Sequence, residues 1–156
     1  MSEVDPTDAI EFDRSVIGVD YDLGSHVVTE EQVAGFARAI GETNPLYLDK
    51  EVARKGPYGV LIAPPAYYTS IRLQPGPDPE VKFGTTSFNA SQHCEFYEPM
   101  RVGDTVNAKE QIAQVFAKTG RTGTLVFTVR RTTYSNHHGR TVTIVESSNV
   151  LRDMRQ

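Results

Sequence analysis

The residues of this chain that could carry chemistry are few and scattered. His93 and Cys94 stand side by side in a stretch that reads as a strand. Neighbouring strand side chains point to opposite faces, so the two form no Cys–His dyad. His137-His138 lies in a predicted turn and reads as solvated. No Cys/His set has the spacing of a zinc site, so no metal is expected. Lys118-Thr119-Gly120-Arg121-Thr122-Gly123 lacks the Gly-Lys-Ser/Thr ending of a phosphate loop. The densest stretch is Phe36 to Tyr47, which places a carboxylate (Glu42), a carboxamide (Asn44) and a phenol (Tyr47) in one short loop after a helix. Asn44-Pro45 is also a common turn former, and Glu42 has a second reading as an exposed helix-end carboxylate with no role.

The elements that must position these groups change character once along the chain. Thr29 to Ile40 reads as a helix: Thr29 and Gln32 have capping-box spacing, and Glu30 and Glu31 suit the positive end of the helix dipole. Val33, Phe36, Ala37 and Ile40 form its apolar face, and Gly41 stops it. Val16-Ile17-Gly18-Val19 reads as a short strand, and residues 49–55 as a helical turn. Residues about 65–73 read as a buried helix whose prolines lie in its first turn, where the missing N–H matters least. From about Val81 the pattern alternates. Residues 85–98, 104–117, 123–135 and 140–151 read as four long strands, with Leu125, Phe127 and Val129 making one wholly apolar row. Short Gly-containing turns require these strands to be mostly antiparallel. Together the elements predict an α+β fold with a five-stranded sheet and helices on one face.

Composition narrows the classes of function. The chain has 156 residues, a length suited to one domain. Sixteen Lys+Arg against twenty Asp+Glu give a net charge of −4, which argues against a nucleic-acid partner drawn to a basic face. A single cysteine, Cys94, suits a reducing compartment. The acidic start has no apolar core of a signal peptide. The longest apolar stretch, Val60 to Tyr68, is interrupted by prolines and falls far short of the roughly 20 residues that span a bilayer. The expectation is a cytoplasmic protein with no membrane partner.

With these elements in place, the stretch 36–47 acquires a specific meaning. It resembles the signature of the MaoC-like (R)-specific enoyl hydratase and 3-hydroxyacyl dehydratase family: an aromatic, then Ser/Thr-Gly-Asp-x-Asn-Pro-aliphatic-His, then Ala or Ser six residues on. Gly41, Asn44, Pro45, Leu46 and Ala53 keep that frame. Leu61-Ile62-Ala63-Pro64-Pro65 stands where such proteins read Ile-Ala-His-Gly, and Glu98-Pro99 with Val102-Gly103-Asp104 resembles the family's later strand connection. The resemblance covers most of the chain. It implies a single hotdog fold, an antiparallel sheet wrapped around a central helix at about 65–73. The division expected is an N-terminal tail over 1–14 and the hotdog domain over 15–156.

The family's reaction is reversible addition of water to a trans-2-enoyl thioester, and no cofactor is implied. It needs a carboxylate and an imidazole on one water, and a backbone N–H on the thioester oxygen. Carried over position by position, the resemblance makes Glu42, Asn44 and Tyr47 the catalytic positions and Pro64, Pro65, Tyr67 and Tyr68 the substrate-binding ones. Each chemical position departs from the pattern. Glu42 replaces the family's Asp, Tyr47 replaces its His, and Pro65 replaces its oxyanion Gly and has no N–H to give. Asn44 remains. Tyr67 and Tyr68 read as core or interface residues as readily as ligand contacts, and Pro64 and Pro65 also serve simply to start a helix. Arg121, Arg130 and Arg131 could meet the phosphates of coenzyme A or an acidic carrier protein, or form a solvated strand face.

Three readings follow from the resemblance. One is an accessory subunit of a heteromeric hydratase/dehydratase, with an acyl-CoA or acyl-carrier-protein thioester and a second hotdog subunit as partners; the closest subgroup is the N-terminal dehydratase domains and the accessory subunits of heteromeric dehydratases. The second is a self-sufficient homodimeric hydratase using Glu42 and Tyr47. The third is a non-enzymatic acyl-thioester binding module.

Overall fold

The computed structural model of the chain describes residues 5–153, so the first four residues of the expected tail and the last three of the domain lie outside it. Five strands form one sheet: β1 (Tyr21–Val27), β2 (Thr86–Phe96), β3 (Thr105–Gly120), β4 (Gly123–Ser135) and β5 (Thr141–Arg152). Their order is β1-β3-β4-β5-β2, and every neighbouring pair is antiparallel. Three short helices precede the long strands: α1 (Glu30–Ala39), α2 (Pro45–Leu48) and α3 (Lys50–Lys55). This is the expected hotdog, with the helical segments on one face of the sheet. Among the described residues no helix is long and apolar enough to cross a membrane.

Local chemistry explains the boundaries. The Thr29 hydroxyl accepts the Gln32 N–H at the start of α1, and Gly41, at φ 73°, lets the chain leave it. Val33, Ala34 and Ala37 are buried, but Ile40 is 52% exposed and does not extend the apolar face as expected. On β3, Val106, Ala108 and Ile112 face inward. A bulge between Ile112 and Gln114 shifts the register, so Val115 and Ala117 still point into the core. The hairpin from β3 to β4 turns in two residues, Arg121-Thr122, because the strands pair as far as Gly120 and Gly123.

Two expected elements differ. Val16–Val19 is not a strand: Asp13 caps a 3-10 turn at Arg14–Val16, Gly18 has a φ of 72°, and only Ile17 bridges to Ile112. The fifth strand is β1, hidden by its polar sequence and by a bulge at Asp22/Gly24. The central helix is a six-residue 3-10 segment, Pro65–Ser70, rather than a helix to about 73. Thr69 and Ser70 hydroxyls bond back to the carbonyls of Ala66 and Tyr67, and Pro75, Pro77 and Pro79 follow. The extended strap 71–84 then runs under the sheet. It is held by Gln74 N–H to the Leu23 carbonyl, by Asp13 N–H to the Pro79 carbonyl and by Lys82 N–H to the Glu11 carbonyl.

The inner face carries two apolar clusters. One joins Val28, Val33, Tyr67, Met100, Val106 and Val142. The other joins Ile10, Val16, Ile112, Val115, Ala117 and Val126, so residues 10–16 pack on the sheet. The wholly apolar row Leu125, Phe127, Val129 faces outward and is half-buried, with Phe127 stacked on Phe116 at 4.9 Å. The mixed row Val126, Thr128, Arg130 faces the core instead.

Candidate functional site

Glu42 and Asn44 are positioned by the helix end that precedes them. The Glu42 N–H bonds the Ala37 carbonyl as α1 closes, and one Glu42 carboxylate oxygen accepts the N–H groups of Thr43 (2.8 Å) and Asn44 (3.0 Å). The Asn44 side chain accepts the Leu46 N–H (3.0 Å) and caps α2, with Pro45 in its first turn. Both groups therefore bond the loop's own backbone. Tyr47 sits one turn into α2 and projects toward Pro64 and Pro65, with which it lines a cavity of about 230 Å³.

That cavity is mainly apolar and aromatic. Ile62, Ala63, Pro64 and Met100 form buried parts of its wall; Tyr47, Tyr58, Phe96 and Tyr97 add rings. Its one carboxylate is Glu98, which accepts Arg140 Nη1 at 3.1 Å. Burial first, then the charge of Glu42 and the proximity of Tyr58, push the Tyr47 phenol above its ordinary range. The phenol therefore stays protonated at neutral pH and cannot serve as a base there. Pro65, the first residue of the 3-10 segment, presents a ring nitrogen with no hydrogen.

Tyr67 and Tyr68 take other places. Tyr67 is 1% exposed in the core; its hydroxyl lies 3.0 Å from His26 Nε2 and 3.3 Å from Gln32 Oε1, and Phe36 packs edge-on against its ring. Tyr68 turns its hydroxyl toward Cys94 Sγ (3.2 Å) and Gln92 Oε1 (3.3 Å) on β2. Burial and the Cys94 contact push its pKa up to about 12. Neither tyrosine lines the cavity with Tyr47. His93 sits on the opposite face from Cys94, exposed and 3.4 Å from Glu95. His137 and His138 lie in the turn before β5 with ring centroids 4.0 Å apart, and among the described residues no cluster of three His, Cys, Asp or Glu could hold a metal.

Of the expected positions, Tyr47, Pro64 and Pro65 line one cavity; Glu42 and Asn44 are spent on the loop backbone and are not in its wall, and Tyr67 and Tyr68 stand apart from it. Sequence reasoning passed over Tyr58, Phe96 and Tyr97 as site residues and read Glu98 only as part of a strand connection. The signal available was the pair Phe96-Tyr97 at the end of an edge strand, 51% and 56% exposed, directly before Glu98-Pro99.

Residues 15–145 match the family described as FAS1-like, dehydratase domain region. A UPF0336 protein of a Parafrankia species is 31% identical over 113 residues, covering 69% of this chain and 74% of that protein. The 3-hydroxybutyryl-CoA dehydratase of Methylorubrum extorquens is 30% identical over 101 residues, covering 60% of this chain and 59% of its own length. Among solved structures, the HadBC (3R-hydroxyacyl-ACP dehydratase) complex of Mycobacterium tuberculosis superposes with a TM-score of 0.67 at 20% identity, covering 88% of this chain and 98% of the matched one.

Proposed function

Because the chain belongs to the FAS1-like dehydratase-region family, we propose that it is the acyl-binding, stabilising subunit of a heteromeric (R)-specific enoyl-thioester hydratase or 3-hydroxyacyl-thioester dehydratase. The observation that carries this reading is the mouth formed by Tyr47 and Pro65. The scaffold places an acid–base group and an oxyanion donor at this mouth in the family, and here it holds a protonated phenol and a nitrogen with no hydrogen. A missing oxyanion donor costs about 10²–10³-fold. A missing general base costs roughly 10²–10⁴-fold. The cavity still offers rings and apolar side chains to an acyl thioester, and a partner hotdog would supply the water-activating pair and the N–H.

β2 supports a partner of this kind. It is an edge strand of eleven residues, paired only with β5, and all its residues except Cys94 are exposed. Such an edge is ready to pair with another strand. That one solved neighbour is a complex of 3R-hydroxyacyl-ACP dehydratase subunits agrees with this arrangement.

The test is hydration of crotonyl-CoA, followed by loss of enoyl absorbance. The purified chain alone should give a flat trace, and the chain with its hydratase partner a rapid one. Turnover by the chain alone, abolished by Glu42→Ala, would overturn the proposal. That outcome would favour a homodimeric hydratase in which Tyr47, held protonated partly by the Glu42 charge, acts as the acid.

A further inference from the structure

The inner face of the sheet is interrupted where a hotdog would be expected to be most apolar. The register sets two adjacent rows across β4, β5 and β2: Thr128, Asn149 and Asn89 in one, Arg130, Ser147 and Gln92 in the next. All six side chains are polar. They lie between the two apolar clusters and open into cavities of about 270 Å³ and 530 Å³ that share Asn149. Among the described residues the side chains of Asn89, Ser147 and Asn149 make no hydrogen bond. The charge at the band's inner end is already balanced, since Arg130 Nη1 holds Glu110 Oε1 at 3.0 Å and the Pro77 carbonyl. Asp78 adds a carboxylate to the same wall.

Position ties the band to the cavity beside Tyr47. Thr143, at that cavity's edge, precedes Ser147 and Asn149 on β5, so the band begins roughly 13 Å further along the strand at ~3.3 Å per residue. Tyr68 stands between them with its hydroxyl turned toward Gln92. An alkyl chain laid there would strip water from three carboxamides and two hydroxyls and return no hydrogen bonds. A chain with uncharged oxygen would return them.

Resting on the acyl-thioester reading above, we propose that this band is a distal acyl subsite selecting chains that carry a neutral oxygen, a hydroxyl in the first instance, over plain alkyl chains.

The probes are lauroyl-CoA, ω-hydroxylauroyl-CoA and its ω-carboxy analogue, titrated calorimetrically into the full chain. The alcohol should bind about tenfold tighter than lauroyl-CoA, the return on one or two hydrogen bonds. Asn149→Leu should erase that preference while keeping lauroyl-CoA affinity. Asn89→Leu, on the exposed edge strand, should reduce the preference two- to threefold without disturbing the fold, as circular dichroism would report. Equal binding of alcohol and alkyl chain overturns the subsite and leaves the thioester reading standing. So does a preference unchanged in both variants. Tighter binding of the ω-carboxy analogue, or CoA alone binding as tightly as its thioesters, also overturns it. If neither thioester binds, both the subsite and the reading it rests on fall.

Discussion

In the function proposed above, Tyr47 and Pro65 leave the mouth to bind an acyl thioester while a partner adds the water. Each is a conservative occupant of space and a decisive change of chemistry: a ring for a ring, and a compact residue for another. Restoring the family's groups should reverse this. The triple variant Glu42→Asp, Tyr47→His, Pro65→Gly should hydrate crotonyl-CoA at least about 10²-fold above the untouched chain in a stopped spectrophotometric assay. Tyr67 belongs to a different task. Tyr67→Phe removes its bonds to His26 and Gln32, costing ~1 kcal/mol, and should lower the melting midpoint by about 2–4 °C while leaving thioester affinity unchanged. His26 itself is held below its ordinary pKa by burial. The folded chain therefore takes up that proton less readily than the unfolded one, so stability from this residue is full above about pH 6.5 and is lost as pH falls toward the depressed value. Melting scans at about pH 7 and pH 5.5 should show a larger drop for the native chain than for His26→Gln. The family resemblance singled out Glu42, Asn44, Tyr47 and Pro65, because the frame of a helix end, a turn and a proline-started segment keeps its order in the sequence. It could not reveal that Tyr67 and Tyr68 face different neighbours. Adjacent residues in a 3-10 turn separate by a rotation that no side-chain pattern records.

The elements most legible in the sequence were those with long alternation: β2 to β5 begin and end close to the expected positions, since a two-residue period sustained over a dozen residues has few alternatives. β1 escaped because Tyr-Asp-Leu-Gly-Ser-His-Val buries only Leu23 and bulges at Gly24. The strap after Ser70 escaped for another reason: its stability comes from backbone bonds to distant carbonyls, which leave no local signature. Gly76 is its tightest point, since a Cβ there would collide with the Glu110 carboxylate. Gly76→Ala should break the fit of the strap over the Glu110–Arg130 pair and cost about 1–3 kcal/mol in chemical denaturation, whereas Gly35→Ala, with open space around it, should not destabilise. At the edge, the unpaired amides of β2 should exchange quickly with deuterium in the isolated chain and at least about tenfold more slowly once a hydratase partner is added. Unchanged exchange would place the partner elsewhere.

At the scale of the molecule, the Glu110–Arg130 pair and the polar rows beside it divide the interior. The cluster around Tyr67 is built by Val28, α1, the 3-10 segment and the start of the strap; the one around Ile112 is built by residues 10–17, Tyr21, the end of the strap and the hairpin ends of β3 and β4. Only the strands and the strap run through both. Two apolar nuclei joined mainly by backbone ladders share little side-chain packing, and side-chain packing is what normally makes small domains melt all at once. The chain should therefore lose one half before the other. In scanning calorimetry the van't Hoff enthalpy should fall below the calorimetric value, and a partner seated on β2 should bring the two back together.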